Sequence, residues 1–271
     1  MLKQRVITAL VLLPLILVPI FTFPTPWLYL FLSAVGMIAA WEWTALMGLT
    51  QGGSRIAYLG LVAVLLAVTW FLATLGLGIW VLILGALWWG YALLMIAGYP
   101  ANFRLKPPGT LTMGVYGLLM IVPALLGLAT LHGAGNGVLR LFFLFAIVWM
   151  ADIGAYFAGR RFGKRKLAPD VSPGKTLEGA IGGFCAAILV VGAAPWVFGL
   201  GRFSFLSLML LCGLVIVASI VGDLTESLFK RHRGVKDSGT ILPGHGGILD
   251  RVDSVLAAAP VLALGLSLLG I

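Results

Sequence analysis

Long stretches without charge constrain this chain more than any other feature. Only 10% of its 271 residues are charged, against about a quarter in an ordinary soluble domain, and 61% are hydrophobic. A water-soluble globule is excluded, because uncharged runs of roughly 20 residues, the length of a bilayer crossing, are unavoidable. Predominantly apolar runs of this length fall at about 6–23, 27–47, 56–76, 78–98, 110–131, 138–158, 178–200, 204–222 and 252–271. Backbone amides buried in lipid must be paired within the segment, so each run is expected to be a helix. The expectation is an all-α polytopic membrane protein with about nine transmembrane helices. The stretch 56–98 is too long for one crossing, and Gly76 and Gly78 offer the hairpin that divides it. Lys3 and Arg5 precede the first run as in a signal peptide, but it continues into Phe21–Pro24 without a small-x-small cleavage site. An uncleaved first helix is expected.

Basic residues set the orientation. With the amino terminus cytoplasmic and the carboxyl terminus outside, 16 of the 18 Lys and Arg fall inside, leaving Arg140 and Arg202 outside. The net charge of +9 therefore reflects loop topology. No nucleic-acid partner is expected, since the aromatic residues lie in apolar runs and do not interleave with a basic patch. Cys185 and Cys212 also sit in apolar runs, and with three His besides they form neither a disulfide framework nor a zinc pattern. The chain divides into an amino-terminal membrane region, 1–137, with five helices, and a carboxyl-terminal catalytic membrane region, 138–271, with four. The second region carries cytoplasmic loops at 159–177 and 223–251.

Acidic residues locate the chemistry. Five of the nine, Asp223, Glu226, Asp237, Asp250 and Asp253, crowd into 223–253, beside five basic residues. Asp223 with Glu226, and Asp250 with Asp253, are three apart, so each pair projects from one helix face. Two facing carboxylate pairs suit magnesium, which completes its shell with water and substrate phosphates. Solvated helix-end charges are the plainer alternative. Between the pairs, glycines at 239, 244, 246 and 247 with Lys230, Arg231, Arg233 and Lys236 have the composition of a phosphate loop. In the loop 159–177, Ser172–Thr176 superficially resembles a P-loop, but Pro169 stands where that motif needs glycine. Ser172 and Pro173 are instead expected to open the seventh helix, leaving Lys175 and Thr176 at an anion-binding amino terminus. Asp152 is an intramembrane carboxylate that could orient this loop or help bind nucleotide. Glu42, between Trp41 and Trp43, reads as a snorkelling boundary residue without a role. His245 is either a general base or a loop contact.

The stretch from Ser227 to Asp253 resembles the signature of the phosphatidate cytidylyltransferases, also called CDP-diacylglycerol synthases. It carries Ser227, Phe229, Lys230, Arg231, Lys236, Asp237, Gly239, Leu242, Pro243, His245, Gly246, Gly247, Ile248, Asp250, Arg251, Val252 and Asp253 at the positions of that pattern. The resemblance implies transfer of a cytidylyl group from CTP to phosphatidate, with magnesium required, in the bacterial inner membrane with the active site facing the cytoplasm. It also implies a metal centre, expected to hold two ions, at Asp223 and Asp250 with Asp253 nearby, and makes a homodimer plausible. Lys230, Arg231, Lys236 and Lys175 would hold phosphate, and Thr176, Ser227, Asp237, Gly246, Gly247, Arg251 and Asp152 would line the substrates. A phosphate monoester is mostly ionised at neutral pH, its second pKa being about 6. The nucleophile thus needs little help, and His245 becomes a substrate or loop contact. A multi-spanning transporter and a CTP-dependent lipid kinase are the alternatives; the first would place its charges nearer the bilayer midplane.

Overall fold

The computed structural model describes residues 10, 14–194, 198, 202–244 and 246–271, with backbone alone at 202–204. Residues 14–22 are helical (α1), followed by α2 (Thr25–Met47), α3 (Gly52–Thr74), α4 (Gly78–Gly98), a short α5 (Ala101–Leu105), α6 (Thr110–Gly133) and α7 (Gly137–Phe162). A two-stranded antiparallel hairpin, β1 (Lys166–Ala168) and β2 (Ser172–Thr176), leads into α8 (Leu177–Val191), α9 (Arg202–Arg233) and α10 (Leu249–Leu269). Among the described residues, seven helices are long and apolar enough to cross a membrane: α2, α3, α4, α6, α7, α9 and α10. The protein is an integral, polytopic, essentially all-helical membrane protein.

Local sequence explains the breaks. Gly48, at φ 82°, ends α2 in a left-handed cap. Gly76, at φ 77°, turns the chain between α3 and α4 where the hairpin was expected. Three expected boundaries are corrected. In the run 178–200 the first helix ends at Val191, and Gly192 and Ala193 form a turn before Ala194 is helical again. The run 204–222 continues to Arg233, since nothing from Asp223 to Arg233 breaks a helix and the left-handed Gly234 first does. Ser172 and Pro173 do not open a helix: they lie in β2, and the helix starts after Thr176. The far ends of the first run, with Lys3 and Arg5, lie outside the described residues.

Packing relies on small residues, as expected where lipid removes the hydrophobic drive between helices. Helix α6 is the most enclosed, with α2, α4 and α10 around it. At Gly127 an added Cβ would lie 2.9 Å from the Ala259 carbonyl carbon, so α6 and α10 touch backbone to backbone. Helices α7 and α8 pack in the same way. An added Cβ at Gly183 would meet the Ala151 carbonyl at 2.4 Å, and one at Gly182 would meet the Ala158 Cβ at 2.1 Å.

Candidate active site

The extension of α9 beyond 222 builds the centre of the site. It carries Asp223, Glu226, Ser227, Lys230 and Arg231 on helical turns, where residues three and four apart share a face. The Lys230 ammonium donates to Glu226 Oε2 at 3.0 Å and to Asp250 Oδ1 at 2.6 Å, joining α9 to the first turn of α10. All three are largely removed from solvent, with side-chain exposures of 13% for Lys230, 0% for Glu226 and 6% for Asp250. The other Glu226 oxygen, Oε1, is buried with no hydrogen-bond partner among the described residues. Gly222 permits the close approach of the two helices: an added Cβ there would lie 2.5 Å from the Asp253 carbonyl oxygen. Asp253 is thus brought beside the turn that bears Asp223 and Glu226, while its Oδ1 accepts from the Ser254 N–H at 2.7 Å.

The hairpin supplies a second cation. Lys175 on β2 pairs with Asp223 of α9. Arg231 Nε donates to the Val171 carbonyl at 3.2 Å, tying the hairpin turn to the same helix. Thr176 caps α8, its Oγ1 accepting from the Gly179 N–H at 3.1 Å. Glu178 holds the other side of the hairpin by accepting from the Lys164 and Arg165 amides. Behind Lys175 opens a cavity of about 410 Å³, lined by Asp152, Tyr156, Arg160, Lys175, Thr176 and Asp223. Its remaining walls include Ala151, Ala155, Gly159, Gly179, Ala180 and Gly183, so the stripe that brings α7 and α8 together also leaves this space. Arg160 donates to the Tyr156 hydroxyl at 3.2 Å at the rim.

The loop between α9 and α10 closes on carboxylates. Asp250 Oδ2 accepts from the Gly247 N–H at 2.8 Å, the Ser238 N–H at 3.0 Å and Ser238 Oγ at 3.0 Å. Gly246, at φ 84°, turns the chain so that the Leu242 N–H reaches its carbonyl at 2.9 Å. Asp250 therefore organises the loop as well as holding Lys230. Lys236 and Asp237 are exposed on the loop, and Arg251 is exposed on the first turn of α10. Ser227 is half-buried on α9, and His245 lies outside the described residues.

Glu42 needs correction. Instead of snorkelling at a boundary it is 3% exposed, with Oε1 accepting from the Ile248 N–H at 3.0 Å and Oε2 from the Leu249 N–H at 2.8 Å. Its flanking Trp43 is buried too, edge-on to Phe229 of α9 at 5.1 Å between ring centroids. The signal that could have found Glu42 is the general one: a lone carboxylate inside an apolar run has a partner or a function.

Asp223, Glu226, Asp250 and Asp253 offer oxygen donors of the kind a hard cation takes. Glu226 Oε1 is a buried acceptor with no hydrogen-bond partner among the described residues, close to the Asp253 side chain. Among the described residues, no group of three or more His, Cys, Asp or Glu is drawn together closely enough to hold a metal. Instead, the ammonium groups of Lys175 and Lys230 balance the carboxylates.

A sequence profile described as Cytidylyltransferase family matches residues 3–269. The chain is 45% identical over 265 residues to the phosphatidate cytidylyltransferase of Pseudomonas aeruginosa, covering 97% of this chain and 96% of that one. It is 38% identical over 282 residues to the phosphatidate cytidylyltransferase of Haemophilus influenzae, covering 96% of each. The protein of that name from Brucella suis is 39% identical over 246 residues, 87% of this chain and 82% of its own length.

Proposed function

Since this chain belongs to the cytidylyltransferase family, we propose that it transfers the cytidylyl group of CTP to phosphatidate, releasing pyrophosphate and leaving CDP-diacylglycerol in the membrane. The observation that carries this reading is the convergence of two lysine–carboxylate centres from three elements. Lys175 with Asp223, and Lys230 with Glu226 and Asp250, stand where the hairpin, α9 and α10 meet beside the cavity.

The reaction joins a phosphate oxygen of the lipid to the α-phosphorus of CTP and breaks the bond from that phosphorus to the bridging oxygen of pyrophosphate. The lipid oxygen is already ionised, so no side chain has to remove a proton. The chain's task is to bring two polyanions together and to carry the charge that accumulates on the leaving group. Lys175, Lys230, Arg231 and Lys236 are the groups available to do this. Each lysine ammonium now held by carboxylates can turn to phosphate oxygens when substrate arrives. Magnesium, expected as two ions, would be held by Asp223, Asp250 and Asp253 once the lysines turn to phosphate, and would supply positive charge to the phosphate oxygens. Asp152, Thr176, Ser227, Asp237, His245, Gly246, Gly247 and Arg251 complete the proposed substrate lining. The diacyl chains remain between helices, and the site opens to the cytoplasm at headgroup level. The wider reading is a nine-helix protein of the bacterial inner membrane, amino terminus inside, carboxyl terminus outside, acting as a homodimer.

The test is direct. Purified protein is mixed with phosphatidate, magnesium and CTP labelled at the α-phosphate, and label is followed into the organic phase beside released pyrophosphate. Lipid-borne label matched by pyrophosphate is expected, and Asp223→Ala should abolish it in protein that remains folded. Absence of lipid label from folded wild-type protein, across several metals and acyl chains, would overturn the reading.

A further inference from the structure

Among the described residues, the amino-terminal half contributes a carboxylate to the site's loop, Glu42. Glu42 comes from α2, yet both its oxygens are spent on residues immediately before Asp250 and on the loop that Asp250 organises. Ile248 and Leu249, whose amides it accepts, are the cap and first residue of α10, and that helix has no side-chain cap of its own. The first amides of a helix have no intrahelical acceptor, so these two would otherwise be buried unpaired. A carboxylate at this end is also favoured by the helix dipole.

Ser238 links the two carboxylates. Its Oγ lies 3.3 Å from Glu42 Oε2 and 3.0 Å from Asp250 Oδ2, one hydroxyl proton serving both. The loop backbone is wrapped tightly on Glu42. An added Cβ at Gly239 would lie 2.3 Å from Glu42 Oε1, and one at Gly247 would lie 2.5 Å from Oε2. Two of the loop's glycines are therefore needed to let a membrane-buried carboxylate serve as the template on which the loop closes.

We propose that Glu42 is a positioning residue for the transfer reaction. It fixes the start of α10 and the Ser238 hydroxyl, and through them aims Asp250 and the Lys230 that Asp250 holds. The inference rests on the transferase reading given above. An ordinary core residue would lower stability throughout the protein, whereas a positioning residue affects one loop and one kinetic constant.

The test compares full-length wild-type protein with Glu42→Gln and Glu42→Asp in detergent. Glutamine has the same shape, but it keeps one acceptor oxygen and turns an NH2 group toward N–H donors. Two readouts are taken: steady-state transfer of labelled CTP, and hydrogen–deuterium exchange followed by mass spectrometry. For Glu42→Gln the expected result is a fall in kcat of about tenfold or more, the effect of misaiming a charge-stabilising group. KM for CTP should change far less. Exchange should quicken in peptides covering 237–249 and stay as in wild type across α3 and α4. Glu42→Asp, still a carboxylate, should recover part of kcat. A wild-type kcat in Glu42→Gln, or exchange that rises evenly along the chain, overturns the proposal. If Glu42→Gln does not fold, Glu42→Asp is judged by the same two outcomes. A wild-type protein without transfer activity would sink the transferase reading instead, and exchange in the 237–249 peptides would still decide whether Glu42 holds the loop.

Discussion

Among single residues, a heavy electrostatic burden falls on Lys230, whose ammonium is shared by two carboxylates largely removed from solvent. Lys230→Met removes the cation and leaves Glu226 and Asp250 facing each other, a loss of about 3–5 kcal/mol for breaking a buried pair. Thermal unfolding in detergent should register it as a lower midpoint, and transfer activity should disappear. Ser238→Ala is milder, because the Ser238 N–H still donates to Asp250 and the loop keeps its backbone contacts. The missing hydroxyl is worth about 1 kcal/mol, so kcat is expected to fall about fivefold. At this scale the chain was largely legible. Glu226, Lys230 and Asp250, grouped by their spacing, lie together in the structure, whereas Lys175, expected at a helix amino terminus in a separate loop, reaches Asp223 from β2. Glu42 was not legible, because its neighbours Trp41 and Trp43 look the same whether a segment meets the lipid surface or the protein interior. Only the arrival of Ile248 and Leu249, 206 and 207 residues along the chain, distinguishes the two.

Between elements, two helix contacts set the spacing of the site. Gly222→Ala would push α10 away from α9 at the Asp253 carbonyl, where the added carbon has 2.5 Å, and also against the Ala257 Cβ at 2.9 Å. Overpacking of this kind costs about 1–3 kcal/mol, and it should remove activity by separating Asp253 from Asp223. Gly213→Ala on the same helix meets nothing nearer than the Phe184 ring at 3.7 Å, so its activity and melting temperature should match wild type. Comparing the two variants separates the site contact from any general intolerance of α9 to alanine. Element boundaries were harder to foresee than elements. Hydropathy marks where lipid begins, not where a helix ends, so α9 runs on through its charged turns to Gly234. The Ser172–Thr176 strand was missed because its pairing partner, Lys166–Ala168, is a short segment without strand character of its own.

For the whole molecule, the loop bearing Lys164 and the loop bearing Lys236 should lie on the same side of the membrane, opposite Arg140. With Cys185 and Cys212 replaced, a single cysteine at 164 or at 236 is expected to react with a membrane-impermeant maleimide only from the cytoplasmic side. One at 140 should react only from outside. Labelling of 164 and 236 from opposite sides would contradict their common site. If magnesium serves the transfer as proposed, chelation of divalent cations should abolish it and added magnesium should restore it. What the sequence determined by itself was the class of protein and the kind of chemistry. Charge is so scarce that only membrane helices can accommodate the apolar runs, and the few carboxylates and bases cluster too densely to be scattered surface charge. What only the tertiary structure decided was which groups face one another. Lys175 reaches Asp223, Lys230 bridges Glu226 and Asp250, and Glu42 holds the start of α10. The physical reason is that local spacing fixes which residues share a helix face, while partners far apart in the chain are chosen by helix packing, and here glycine contacts set how closely the helices come together.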